Sequence, residues 1–151
     1  SYPYGILRKE MQEFLLDQVQ CLLDQKIIAG TGQHGTEYTV LSTALNLPKP
    51  VLRMVQKFDF TKKNPKLLLI NPTEQVLNLG ESIVVALLNR MGFDVLLFIP
   101  TGFECVEKFF PPDYIHEQQI GEYVYDLTVP NFAAVSTQQP SINPLRKLFG
   151  R

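Results

Sequence analysis

Two short apolar runs constrain this chain more than any other feature: Lys66-Leu67-Leu68-Leu69-Ile70 and Val95-Leu96-Leu97-Phe98-Ile99. Each is continuous rather than alternating, the pattern of a strand covered on both faces. Pro65 and Asn71-Pro72 bound the first, and Pro100 stops the second. Between them lies a helix-length stretch with an apolar stripe of Leu79, Ile83, Val84, Leu87, Leu88 and Met91. Asn78 followed by Glu81 is close to a capping box at its start, and Gly92 is placed to end it. Strands joined through a helix of this length pair as a right-handed parallel crossover.

The pattern continues past Pro100. Thr101 with Glu104 repeats the capping signature, so a second helix carrying Phe103, Val106, Phe109 and Phe110 is expected, ended by Pro111-Pro112. A third strand is expected next. Tyr123, Tyr125, Leu127 and Val129 alternate with Val124, Asp126 and Thr128, while a shorter strand near Tyr114 to His116 is the competing choice. The expected fold class is α/β: a small parallel Rossmann-like sheet, β-α-β-α-β, with a mainly helical N-terminal segment. On this reading residues 1–62 are the helical segment and 63–130 the Rossmann-like unit. Residues 131–151 are a polar tail with one short helical turn at 144–149.

The N-terminal segment reads as helices. Leu7, Met11, Phe14, Leu15, Val19, Leu22 and Leu23 give one stripe from about Gly5 to Ile27, with Gly30 as the expected stop. Gly30-Thr31-Gly32-Gln33-His34-Gly35 matches a dinucleotide-binding fingerprint literally, but a helix rather than a strand precedes it. That context points to a helix-to-helix loop. Glu37 to Leu45 forms a short helix, and another follows Pro50 to about Phe58, with Val51, Leu52, Val55 and Phe58 facing inward. Lys49, Arg53 and Lys57 line its other side. Such a face suits phosphate, yet 14 basic residues stand against 15 acidic ones, net charge -1. Without a basic excess the face reads as solvated, and nucleic acid is not an expected partner.

No apolar run is long enough to span a bilayer. The chain opens on Ser1 with no signal-peptide pattern, which reads as a piece of a longer cytoplasmic protein. Cys21 and Cys105 are far apart and read as reduced thiols, with no disulfide between them. With His34 and His116 they have no metal-ligand spacing, so no metal is expected, and no cofactor can be named.

Ligands of open parallel sheets gather beyond the carboxyl ends of the strands. There the candidate ligand-binding residues are Asn71, Thr73 and Glu74 in the first loop and Thr101 and Gly102 in the second. Helix N-termini at both loops would favour phosphate or carboxylate at Thr73, Thr101 and the Gly102 backbone, with Glu74 on a ribose hydroxyl or acting as a base. The same residue types also serve as plain caps and turns. The first loop lacks Rossmann glycines and a Gly-Lys-Ser/Thr end, and no Gly-x-Ser-x-Gly elbow exists. No catalytic set is legible.

Three stretches carry a family resemblance. They are Leu67-Leu68-Leu69-Ile70-Asn71-Pro72-Thr73-Glu74-Gln75, Leu87-Leu88-Asn89-Arg90-Met91-Gly92-Phe93-Asp94-Val95-Leu96-Leu97-Phe98-Ile99-Pro100-Thr101-Gly102, and Gln119-Ile120-Gly121-Glu122-Tyr123-Val124-Tyr125-Asp126-Leu127. The chain resembles the C-terminal part of the bacterial YceG family, encoded beside TerD-type tellurium-resistance proteins. The resemblance implies a component of a tellurite or stress-response biosynthetic module, with other stress-module proteins as partners. It transfers no catalytic residue. Two functions are then open. One is a ligand-binding lobe of a larger, glycosyltransferase-like enzyme, taking a nucleotide or nucleotide-sugar ligand. The other is a non-catalytic protein-interaction domain.

Overall fold

A computed structural model describes residues 3–57, 59 and 61–129. Its elements follow in the order α1 (Lys9–Asp24), α2 (Thr36–Ala44), α3 (Lys49–Lys57), β1 (Lys66–Ile70), α4 (Leu79–Arg90) and β2 (Asp94–Phe98). Short 3-10 turns at Pro3–Ile6 and Glu107–Phe109 flank them. β1 and β2 pair in parallel, with Leu67 opposite Val95 and Leu69 opposite Leu97. The crossover through α4 is the one the apolar runs demand.

Both ends of α4 are closed by local chemistry. Asn78 Oδ1 accepts from the Glu81 backbone N–H at 2.9 Å, and the Asn78 N–H donates to the Glu81 carboxylate at 2.8 Å. This reciprocal pair satisfies two donors that a helix start otherwise leaves open. At the other end Gly92 takes φ 101°, a conformation a side chain resists. Its N–H reaches the Asn89 carbonyl and the Phe93 N–H reaches Leu88, each at 3.0 Å, so the last turn closes as a Schellman motif.

α4 packs against α1, α2 and β2. Ile83, Ala86 and Leu87 are fully buried, and they share one core with Leu15, Val19 and Leu22 of α1, Val40 and Ala44 of α2, and Leu52 and Val55 of α3. Lys49, Arg53 and Lys57 of α3 are exposed. Phe58, expected on the inner face of α3, lies outside the described residues, as does the tail of residues 131–151.

α1 is shorter than its stripe suggests. It ends at Asp24 because Lys26, ahead of Gly30, already takes a left-handed conformation, at φ 50°. Lys26 N–H then bonds Leu23 at 3.1 Å and Ile27 N–H bonds Leu22 at 3.2 Å, again a Schellman closure. Ile27 and Ile28 are buried beyond it, which continues the apolar pattern after the helix has stopped. Gly30, Gly32 and Gly35 all have positive φ in the connection from α1 to α2.

The β-α-β-α-β expectation is overturned beyond β2. Among the described residues the sheet has two strands, accompanied by four α-helices, so the chain is mixed α and β without a Rossmann-like unit. Residues 123–129 do not form a strand, because Asp126 at φ 61° breaks the extended run and Gly121 at φ 81° precedes it. Tyr114 to His116 forms none either, since the Tyr114 N–H closes a turn onto Pro111 at 3.0 Å. The helix expected after Thr101 is replaced by the 3-10 turn at Glu107–Phe109. There Gly102, at φ 67°, turns the chain away from helical geometry. Among the described residues the strands are also not covered on both faces, since Leu68, Leu96 and Phe98 are exposed.

Two substitutions test this account. Leu87→Ala, at a fully buried side chain, is expected to lower unfolding free energy by about 2–5 kcal/mol. Asn78→Ala removes the cap and is expected to lower it by about 1 kcal/mol. Urea denaturation followed by circular dichroism measures both, and the opposite ranking would remove α4 from the centre of the core.

Candidate functional site

The carboxyl ends of β1 and β2 open onto a cleft of roughly 210 Å³. Asn71, Gln75, Val76 and Leu77 from the first loop line it, with Leu97 of β2, Glu81 of α4 and Cys105. The first loop is held by one side chain. Asn71 Oδ1 accepts from the Thr73 N–H at 3.3 Å and from its hydroxyl at 3.0 Å, while Asn71 Nδ2 donates to the Gln75 carbonyl at 2.8 Å. This turn folds the loop onto itself before α4 begins. Thr73 and Glu74 stand exposed at its tip.

The second loop is built differently. The Gly102 N–H closes a turn onto Ile99 at 3.1 Å, and Thr101 Oγ1 accepts from the Phe103 N–H at 3.3 Å. Thr101 is buried, and it caps no helix. The ring of Tyr123 lies directly over Gly102: a Cβ there would fall 2.1 Å from it. The Val124 N–H donates to Pro100 at 2.8 Å and fixes that crossing. The structure thus brings Asn71 to the cleft wall, leaves Thr73 and Glu74 at the loop tip, buries Thr101 and places Gly102 beneath Tyr123.

These positions change the electrostatics expected from the sequence. With no helix after Thr101, one of the two anion-attracting termini is absent. At the other, the Glu81 carboxylate already occupies the start of α4 and meets its positive end. The cleft therefore presents a carboxylate and an amide more than an anion hole.

Two lining residues, Glu81 and Cys105, escaped the sequence reading as site residues. Glu81 was legible only as a cap. Cys105 enters because its carbonyl accepts from the Leu77 N–H at 2.9 Å, tying the segment after β2 to the first loop. Burial pushes the Cys105 thiol above its ordinary value, against a smaller opposing effect of its hydrogen bond with Asn71. Cys21 lies elsewhere, with its sulfur 3.0 Å from an Arg90 guanidinium nitrogen, and both thiols are free. Among the described residues no group of three or more His, Cys, Asp and Glu could hold a metal ion, and no helix is long and apolar enough to cross a membrane.

Substitution at two glycines separates backbone strain from contact. Gly32→Ala meets only the strain of φ 85°, because nothing lies near its added methyl. Gly102→Ala meets similar strain and must also displace Tyr123. Gly102→Ala is expected to destabilise more, by about 1 kcal/mol or above. The excess should vanish in a Tyr123→Ala background when thermal unfolding of the parent, the three single variants and the Gly102→Ala/Tyr123→Ala double variant is compared. The raised thiol implies a second outcome. Cys105 is expected to resist iodoacetamide at neutral pH and to label only under denaturing conditions or as pH rises, since the thiolate is the reactive form. Peptide mass mapping distinguishes it from Cys21.

The sequence pattern of the YceG domain matches residues 2–136. The uncharacterized protein YceG of Bacillus subtilis (strain 168) is 33% identical over 82 residues, which cover 53% of this chain and 15% of that relative. No solved structure matches the chain.

Proposed function

The chain belongs to the YceG domain family, and on that premise we propose that it forms one wall of a ligand site in a larger protein. The ligand we infer is a nucleotide or nucleotide sugar, and the whole protein a glycosyltransferase-like enzyme. The observation that supports this reading is the cleft at the carboxyl ends of the two parallel strands, where ligands of such sheets gather. At roughly 210 Å³ it is smaller than the ~300–1,000 Å³ of ordinary small-molecule sites, so the remaining wall must come from outside these residues. The aligned stretch spans 15% of its relative, which leaves ample polypeptide for a second lobe.

The chemistry of the wall favours the hydroxyl-rich part of such a ligand. Asn71 and Glu81 supply an amide and a carboxylate, groups that meet ribose or sugar hydroxyls. Phosphate charge would be met by cationic groups of the second lobe. Glu74, at the exposed tip of the first loop, is the residue we place nearest the incoming ligand. The setting we propose is the tellurite or stress-response biosynthetic module that the resemblance implies, in the cytoplasm and alongside other proteins of that module.

Thermal unfolding of the whole protein with a panel of nucleotides and nucleotide sugars tests the reading. A ligand at a hundredfold excess over its Kd is expected to stabilise by about 2.7 kcal/mol. Glu81→Gln keeps an oxygen to accept from the Asn78 N–H but removes the charge, and it should reduce the shift together with Glu74→Ala. If no member of the panel stabilises the parent protein, the ligand reading fails. The interaction-domain reading then replaces it, favoured by the exposed apolar face of the sheet.

A further inference from the structure

Side chains alternate across a strand, so Lys66, Leu68 and Ile70 share one side of β1. Their register partners Asp94, Leu96 and Phe98 share the same side of β2. The opposite side, with Leu67 and Val95, packs on the core. Leu68, Leu96 and Phe98 stay exposed, Leu96 by 61%. The exposure continues past the carboxyl end of β2. Residues 116–128 are exposed throughout and belong to no helix or strand. The Val124 N–H ties this arm to Pro100, two residues beyond Phe98. Along it Ile120, Tyr123 and Tyr125 stand 80%, 53% and 62% exposed. With the sheet face they leave on the order of 800 Å² of mostly apolar surface open, which matches what each partner buries in a stable interface. The largest apolar patch of a monomer is ordinarily about 300–600 Å².

The two ends of this surface differ in charge. Lys62, Lys63 and Lys66 lie at the amino end of β1. Lys62 pairs with Asp59 and Lys66 with Asp94, while the exposed Lys63 has no ion-pair partner among the described residues. At the far end the arm carries Glu122 and Asp126, both exposed and likewise unpaired among the described residues. A five-residue strand separates the ends by roughly 16 Å, about twice the ~8 Å screening length of physiological salt. Each end therefore presents its own sign.

We propose that two copies of this chain pair through this surface about a two-fold axis. Their strands run antiparallel across the interface, and Lys63 of each copy faces Glu122 and Asp126 of the other. Two considerations select a second copy as the occupant. A two-fold interface requires a surface complementary to itself, and an apolar middle with opposite charges at its ends meets that requirement in antiparallel order. The open area also suffices for a stable pair without any further element. The surface is distinct from the cleft, so the pairing holds whether or not the cleft takes a ligand.

Sedimentation equilibrium of the chain over a concentration series tests the proposal. The parent is expected to reach twice its monomer mass of 17.2 kDa. Leu96→Asp and Tyr125→Asp, both at exposed positions, are each expected to raise the dissociation constant about tenfold or more, because each buries an unpaired charge on pairing. A circular dichroism spectrum like the parent's verifies their folds. Lys63→Glu and Glu122→Lys should each weaken pairing several-fold by setting like charges together. The double variant restores opposite signs across the axis and should recover the parent affinity. A parent that stays monomeric at every concentration overturns the proposal and leaves the surface to another partner. A dimer indifferent to both Leu96→Asp and Tyr125→Asp overturns it by placing the interface elsewhere. Failure of the charge swap to recover affinity overturns the antiparallel pairing.

Discussion

α4 is the element on which the rest of the structure depends. It is packed against α1 and α2 and against β2, so the helical segment and the strand pair share one core through it. Its two ends stand at the surface, where a helix leaves backbone groups without partners of its own. The Asn78–Glu81 capping box and the Gly92 closure supply them. Because β1 enters α4 through the first loop and β2 leaves it through Gly92, these closures also fix where the two strands begin and end.

The cleft follows from the same arrangement. Its first loop is short and internally bonded through Asn71, so it has a defined shape without a ligand. The carboxylate that caps α4 is also a lining group. A residue needed for the helix start thereby sets the charge of the site and turns it from an anion hole into an acceptor-rich wall. On the other side, Tyr123 lies over Gly102 and the Leu77 N–H bonds the Cys105 carbonyl, in the segment where the residue pattern suggested a second helix.

The absence of a second crossover among the described residues has a local cause and a tertiary one. Locally, left-handed residues at Gly102, Gly121 and Asp126 interrupt both expected elements. In tertiary terms, backbone groups that a helix would satisfy within itself are used elsewhere: Cys105 accepts from Leu77, Phe109 accepts from Ala29, and Pro100 accepts from Val124. These bonds strap the segment after β2 across the molecule. They also leave β1 and β2 with one apolar face that no described residue covers.

The sequence by itself determined the parts whose signals are local. The two apolar runs, the stripe of Leu79, Ile83, Leu87 and Met91, the Asn78–Glu81 cap and the Gly92 stop all lie within a few residues of what they specify. Side-chain periodicity and capping chemistry act at that range. The parallel pairing of β1 with β2 followed, because a helix-long connection permits no hairpin. Tertiary structure decided what lies beyond. The alternation at residues 123–129 resembles a strand, yet a strand exists only where a neighbouring edge accepts its hydrogen bonds, and Asp126 at φ 61° breaks the extended run. Thr101 with Glu104 carries the residue types of a cap, yet Gly102 and the pull of distant carbonyls direct the chain elsewhere. Cys105 reached the cleft through a bond to Leu77, a contact that nothing in the spacing of those residues encodes.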